Sequence, residues 1–146
     1  MDYKFNGSGV FFTSDTHFNH TNIIRFCSRP FKDVEHMNET LIANWNRVVG
    51  PDNIVFHLGD FCLGGSAEWT KILKRLNGKI YLIAGNHDMK NLRQNYTKYF
   101  ELITMQMYIE VDKQKEKISL AFKCFSLHSM MWELTITTSL RFHSHG

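Results

Sequence analysis

The chain has 146 residues, which suits one domain able to bury a core without disulfide staples. Hydrophobic residues are 43% and charged residues 21%, ordinary for a soluble globular protein, and no continuous apolar run is long enough to span a bilayer. A net charge of +3 is too small to demand a polyanion partner, and three cysteines, Cys27, Cys62 and Cys124, without paired spacing argue against a disulfide framework.

Taken in chain order, Val10 to Thr13 is short, apolar and β-prone, and predicts a buried strand that stops at Ser14-Asp15-Thr16-His17. Residues 33 to 48 predict a helix. Asp33 can cap it, and Val34, Met37, Leu41, Trp45 and Val48 recur at three- and four-residue steps. A turn over Gly50 to Asn53 leads into a second buried strand, Ile54 to Leu58, which ends in Gly59-Asp60. Ser66 is placed as the cap of the next helix, with Trp69, Ile72, Leu73 and Leu76 inward and Asn77-Gly78 as its stop. Lys79 to Ala84 predicts a third strand, ending in Gly85-Asn86-His87-Asp88. A helix over 89 to 97 and a hairpin of 101 to 111 with 117 to 125, turning at Lys113-Gln114-Lys115, complete the pattern. After 125, strand and loop signals mix. This order predicts a single α/β domain, a sheet with helices packed on its faces.

Three apolar strands thus end in clusters of Asp, Asn and His, and in open α/β sheets ligands bind outside the carboxyl ends of the strands. Carboxylate, imidazole and amide donors together favour manganese, iron, zinc or similar ions over calcium. One carboxylate can bridge two ions about 3.5–4 Å apart, as in two-metal phosphoesterases. Asp60 is the candidate bridge, because its strand lies between the other two.

Asp15-Thr16-His17, Gly59-Asp60, Gly85-Asn86-His87-Asp88 and His143-Ser144-His145 resemble the motifs of the calcineurin-like metallophosphoesterase superfamily. Ser14 to Ile24, Cys27 to Phe31 and His57 to Phe61 look like a small phage and bacterial branch of it. The resemblance implies a four-layer α/β/β/α sandwich and a phosphoesterase that uses a dinuclear site and metal-bound hydroxide on phosphodiesters or phosphomonoesters, nucleotides among them. It implies that Asp15, His17 and His145 hold the first ion, Asp60 bridges, and Asn86, His143 and a further histidine, His128, hold the second. His87 would face the leaving-group oxygen as general acid or electrostatic stabiliser, and Asp88 would orient His87.

Residues 119 to 146 depart from the pattern. His128 lacks the aromatic residue and proline that usually follow the lone histidine, and Phe142 stands where glycine usually precedes His-X-His. A diverged or truncated end and a reading-frame disturbance both fit. The alternative function is therefore a non-catalytic or impaired metal- or partner-binding domain derived from such an enzyme. A nucleic-acid module is a third reading, and the scattered lysines and arginines argue against it.

Other residues carry weaker signals. His57, inside a strand, is a core histidine, and His36 a solvated one. His20 could touch phosphate at the site rim, cap a helix or simply be exposed at the surface. Arg29 could bind phosphate or form a plain salt bridge. The cysteines read as small buried hydrophobes. With neither a spanning segment nor a signal-peptide layout at Met1 to Lys4, the expected location is cytoplasmic.

Overall fold

A computed structural model describes residues 3–5, 8–91, 98–111 and 114–119. In chain order they form β1 (Tyr3–Phe5), β2 (Val10–Thr13), α1 (Thr21–Phe26), α2 (Val34–Val48), β3 (Ile54–His57), α3 (Ser66–Leu73), β4 (Lys79–Ile83), a 3₁₀ helix (Asn86–Asn91), β5 (Phe100–Thr104), β6 (Gln106–Val111) and β7 (Gln114–Ser119). Two sheets result. One is the parallel set β2-β3-β4-β5; the other is β1-β6-β7, with β1 parallel and β7 antiparallel to β6.

The apolar strands are buried on both faces, which is why they read as continuous runs rather than as alternation. Phe11, Val55, Ile80 and Leu82 point to the helices and pack with Met37, Leu41, Trp45, Trp69 and Ile72. Their neighbours Val10, Phe12, Phe56 and Ile83 point the other way and pack against Met107 and Ile109 of β6. Phe5 of β1 closes this second core edge-on to Phe56, with ring centroids 5.2 Å apart. The described residues therefore stack as helices, sheet and sheet. The fourth layer expected from the resemblance is not among them.

Helix α2 begins where the sequence places it, because the Asp33 carboxylate accepts the His36 amide at 2.7 Å. Its buried stripe is Met37, Leu41, Ile42 and Trp45, continued by Val49; Val48 is 43% exposed, so the inward step after Trp45 is four residues and not three. The cap of α3 is Gly65 rather than Ser66, with the Glu68 carboxylate accepting the Gly65 amide at 2.9 Å. All four expected inward residues of α3 and its following turn, Trp69, Ile72, Leu73 and Leu76, are buried. Cys62 is buried as expected, whereas Cys27 is exposed; Cys124 lies outside the described residues.

Three predicted elements differ. In place of a helix starting at residue 89, a 3₁₀ turn starts at Asn86, closed by the Asp88 amide on the Gly85 carbonyl at 3.1 Å; residues 92–97 lie outside the described residues. The strand expected over 101 to 111 is two strands in two different sheets. They part at Met105, where the Thr104 hydroxyl donates to the Gln106 carbonyl at 2.9 Å and bends the chain. Val111 pairs with Gln114, so β7 starts at 114 rather than 117; residues 112–113 lie outside the described residues. Strand β1 and helix α1 were not foreseen. No helix among the described residues is long and apolar enough to cross a membrane.

Candidate metal centre

The parallel pairing of β2 and β3 does not stop where the strands do. Beyond Thr13 and His57 the two chains stay zipped: Leu58 donates to Thr13 at 2.7 Å, Asp15 to Gly59 at 2.9 Å, His17 to Asp60 at 3.0 Å and Phe18 to Phe61 at 2.9 Å, all through backbone amides. Keeping this pairing through polar turns requires unusual backbone. Asp15 (φ 54°), His17 (φ 50°) and Asp60 (φ 55°) are all left-handed, a conformation that costs a non-glycine residue roughly 1–2 kcal/mol. Three such residues at one sheet edge persist only where their surroundings hold them, and such clustering is typical of functional sites.

Their side chains converge. Ligand atoms of Asp15, His17 and Asp60 all lie within 4.8 Å of one another. His17 Nε2 stands 3.8 Å from Asp15 Oδ1 and 4.0 Å from Asp60 Oδ2. Burial, reinforced by the nearby Arg29 charge, pushes the His17 imidazole down to about 3, so its ring is neutral. Burial also raises the Asp15 carboxyl, against the Ser14 hydrogen bond that lowers it. Two carboxylates and a neutral imidazole, held close without direct hydrogen bonds to each other, match the donor set of a divalent transition-metal site. The residues present therefore fit the metal that the sequence reading requires.

The third strand end closes the site from the other side. Gly85 and Gly59 meet back to back: a Cβ on Gly59 would lie 2.8 Å from Gly85 Cα, and one on Gly85 would collide with the Asp60 carboxylate. His87 is exposed, and its amide donates to Asp60 Oδ1 at 3.0 Å. Its ring lies 5.4 Å from the His17 ring and 5.9 Å from the His20 ring. Asn86 opens the 3₁₀ helix directly after Gly85. His128, His143 and His145 lie outside the described residues.

Asp88 does something other than expected. Its carboxylate accepts the Asp60 and Gly85 amides on Oδ2 at 2.8 and 2.7 Å, and the Phe61 amide on Oδ1 at 2.9 Å. In place of a bond to the His87 ring, it clamps the Gly59-Asp60 loop to the Gly85 turn. Burial pushes its carboxyl up to about 6, against the pull of those three donors. Asn91, at the far end of the same helix, donates to Gly64 at 2.9 Å and ties it to the loop after β3.

Two residues left open by the sequence are settled in position. His20 belongs to the cluster, with its Nδ1 3.3 Å from His17 Nδ1. Arg29 is only 4% exposed and forms no salt bridge among the described residues. Its Nη2 donates to the Asp15 carbonyl at 2.8 Å and its Nη1 to the Thr16 carbonyl at 2.9 Å. Both ends of the buried guanidinium are therefore engaged by the turn that carries Asp15 and His17. No periodicity marks Arg29, because its contacts lie on a turn remote in sequence. Thr16, missed for the same reason, donates its hydroxyl to the Phe61 carbonyl at 2.8 Å. His57 is fully buried, as expected; its Nδ1 accepts the Gly59 amide at 3.2 Å and its Nε2 meets the Thr16 hydroxyl at 3.0 Å.

Comparison with known proteins bears on this geometry. The family model of calcineurin-like phosphoesterases matches residues 9–140. An uncharacterized protein of Methanocaldococcus jannaschii is 52% identical over 81 residues, which are 54% of this chain and 46% of that protein. The gene 66 protein of Mycobacterium phage L5 is 36% identical over 84 residues, 56% of this chain and 40% of the phage protein. The chain spans less than half the length of these curated relatives. The crystal structure of a protein of unknown function from Aquifex aeolicus is similar with a TM-score of 0.63 at 32% identity, covering 75% of this chain and 59% of that chain. Family match, strand-end motifs and sheet architecture agree: the chain belongs to the calcineurin-like phosphoesterase family.

Proposed function

We propose that this chain hydrolyses a phosphoester at a dinuclear metal centre, with phosphodiesters, nucleotides among them, as the favoured substrates. The observation that carries the reading is the convergence of Asp15, His17 and Asp60, three left-handed residues with ligand atoms within 4.8 Å of one another at adjacent strand ends. Asp15 and His17 would hold one ion, Asp60 would be shared, and Asn86 would serve the other; His128, His143 and His145 would complete the set. When bound, such ions acidify water and neutralise the charge that builds on phosphate oxygens.

The protein's own contribution is positioning and proton transfer. The zipped turns hold the two carboxylates and the imidazole at one site, which would limit the reorganisation that metal binding costs. His87 is anchored through its amide on Asp60, which leaves its exposed ring free beside the site. From there it would protonate or stabilise the leaving-group oxygen.

The test is hydrolysis of chromogenic phosphodiesters and phosphomonoesters with added Mn2+. Activity should require the metal, disappear on chelation, and fall by at least about 100-fold in Asp60→Asn. Activity that survives both chelation and that substitution would sink the mechanism. Tight Mn2+ binding without any turnover would favour a metal-binding domain that has lost the chemistry.

A further inference from the structure

Arg29 sits in a place that neither the metal ligands nor the core accounts for. It is nearly fully buried, its Nε has no hydrogen-bond partner, and no carboxylate lies within ion-pair distance among the described residues. Burying an unpaired guanidinium is unfavourable, and an apolar residue would fill the same space at less cost. What the guanidinium does engage is specific. Its two terminal nitrogens take the carbonyls of Asp15 and Thr16, and Nη1 also lies 3.4 Å from Met37 Sδ.

Those two carbonyls define the two peptide planes between Asp15 and His17. Fixing both planes relative to one another fixes both dihedrals of Thr16, the residue that links the two candidate ligands. Those torsions set how Asp15 (φ 54°) and His17 (φ 50°), left-handed on either side of Thr16, are oriented relative to each other. The chain delivers Arg29 with equal care. Helix α1 ends at Phe26, Ser28 turns left-handed (φ 49°), the Arg29 amide donates to Ile24 at 2.8 Å, and the Arg29 carbonyl accepts from Phe31 at 2.9 Å. The segment Cys27 to Phe31 therefore works as a bracket whose product is one guanidinium beneath the site.

We propose that Arg29 is a positioning residue for metal binding: its guanidinium fork locks the Asp15-Thr16-His17 turn in the conformation that presents both ligands to one cation. The inference rests on the metal reading above. A lysine would bring the charge but not the planar fork: its donors rotate on a single nitrogen, so it would hold the two peptide planes less firmly.

The experiment measures Mn2+ affinity directly, by calorimetric titration and by the electron paramagnetic resonance signal of free Mn2+. The protein is the parent, Arg29→Lys or Arg29→Ala, each at a temperature where circular dichroism shows it folded. Both variants should bind Mn2+ roughly 10- to 100-fold more weakly, the usual effect of losing a group that orients a ligand. Millimolar guanidinium ion should restore part of the affinity in Arg29→Ala but not in the parent. At saturating Mn2+, KM for a chromogenic phosphodiester should stay near the parent value in Arg29→Lys if Arg29 acts through the turn it engages. Parent-like Mn2+ affinity in a folded Arg29→Lys would overturn the proposal. So would the failure of both variants to fold, which would make Arg29 a scaffold residue only. A parent protein that takes up no Mn2+ would instead overturn the metal reading itself, and this inference with it.

Discussion

Among single residues, Asp88 shows how a carboxylate beside a metal site can matter without touching metal. Its two oxygens collect three backbone donors from two loops, those of Asp60, Phe61 and Gly85, so one side chain sets the spacing between strand ends. Asparagine has the same shape but only one acceptor oxygen. In Asp88→Asn that oxygen can keep two amides, while the new NH2 group faces the third donor. The unfolding free energy, from urea denaturation, should fall by about 1–3 kcal/mol, the cost of leaving a buried donor unpaired. An unchanged urea midpoint would show that the clamp is dispensable. This role was not legible in the sequence. Gly-Asn-His-Asp reads as a run of ligands and acids, and nothing local reveals that the last carboxylate turns back onto its own loop. Asp15, His17 and Asp60 were legible for the opposite reason: each follows directly on an apolar strand, so strand direction alone carries them to one sheet edge.

Among elements, the junction of the second and third strand ends depends on two glycines. Gly59 has φ 104°, and its absent side chain leaves room for Gly85; Gly85 in turn leaves room for the Asp60 amide, which lies 2.5 Å from where a Cβ would stand. At Gly85 the obstructing atoms are the Asp60 amide, which is backbone and cannot swing aside, and the Asp60 carboxylate, a candidate ligand. Gly85→Ala should therefore destabilise the fold by about 1–3 kcal/mol and weaken Mn2+ binding with it. Gly65→Ala is the control. There a Cβ would lie 3.5 Å from Glu68 Oε2, an ordinary contact, so the loss should be confined to the roughly 1 kcal/mol or less by which an N-cap prefers glycine to alanine, and Mn2+ affinity should not change. Equal effects of the two substitutions in thermal melts would refute the steric argument. The three central strands and the helices α2 and α3 were legible because each carries a strong apolar period or run. The C-terminal strands were harder. Residues 100–111 are β-prone throughout, and only the Thr104 hydroxyl at the bend divides them between two sheets. Strand β1 is three residues long and α1 six, too short for any period to declare itself.

For the molecule as a whole, the most deeply buried histidine among the described residues shapes how the fold responds to acid. His57 is fully buried on β3, between Trp45 and Phe61, with ring centroids 6.4 and 5.2 Å away. The Thr16 hydroxyl gives its one proton to the Phe61 carbonyl, so it accepts from His57 Nε2; the Gly59 amide then donates to His57 Nδ1. Both ring nitrogens are satisfied in the neutral form, and protonation would place a second donor against the Gly59 amide. Burial alone pushes this imidazole from its ordinary 6.5 down to about 3. The unfolded chain thus takes up a proton near pH 6.5 that the folded chain refuses until about pH 3. The associated stability is complete above pH 6.5 and is lost as pH falls towards 3, at a slope approaching roughly 1.4 kcal/mol per pH unit. In the metal-free protein His17 acts in the same direction, so the share of His57 must be read as a difference. The variant His57→Gln should be less stable than the parent at pH 7, having lost packing against Trp45. Its unfolding free energy should then decline less steeply between pH 6.5 and pH 4, so the two curves converge in acid. Parallel curves for parent and variant would remove His57 as the source. Convergence would tie the acid sensitivity of the fold to a buried residue that hydrogen-bonds the β2 and β3 turns from within the core.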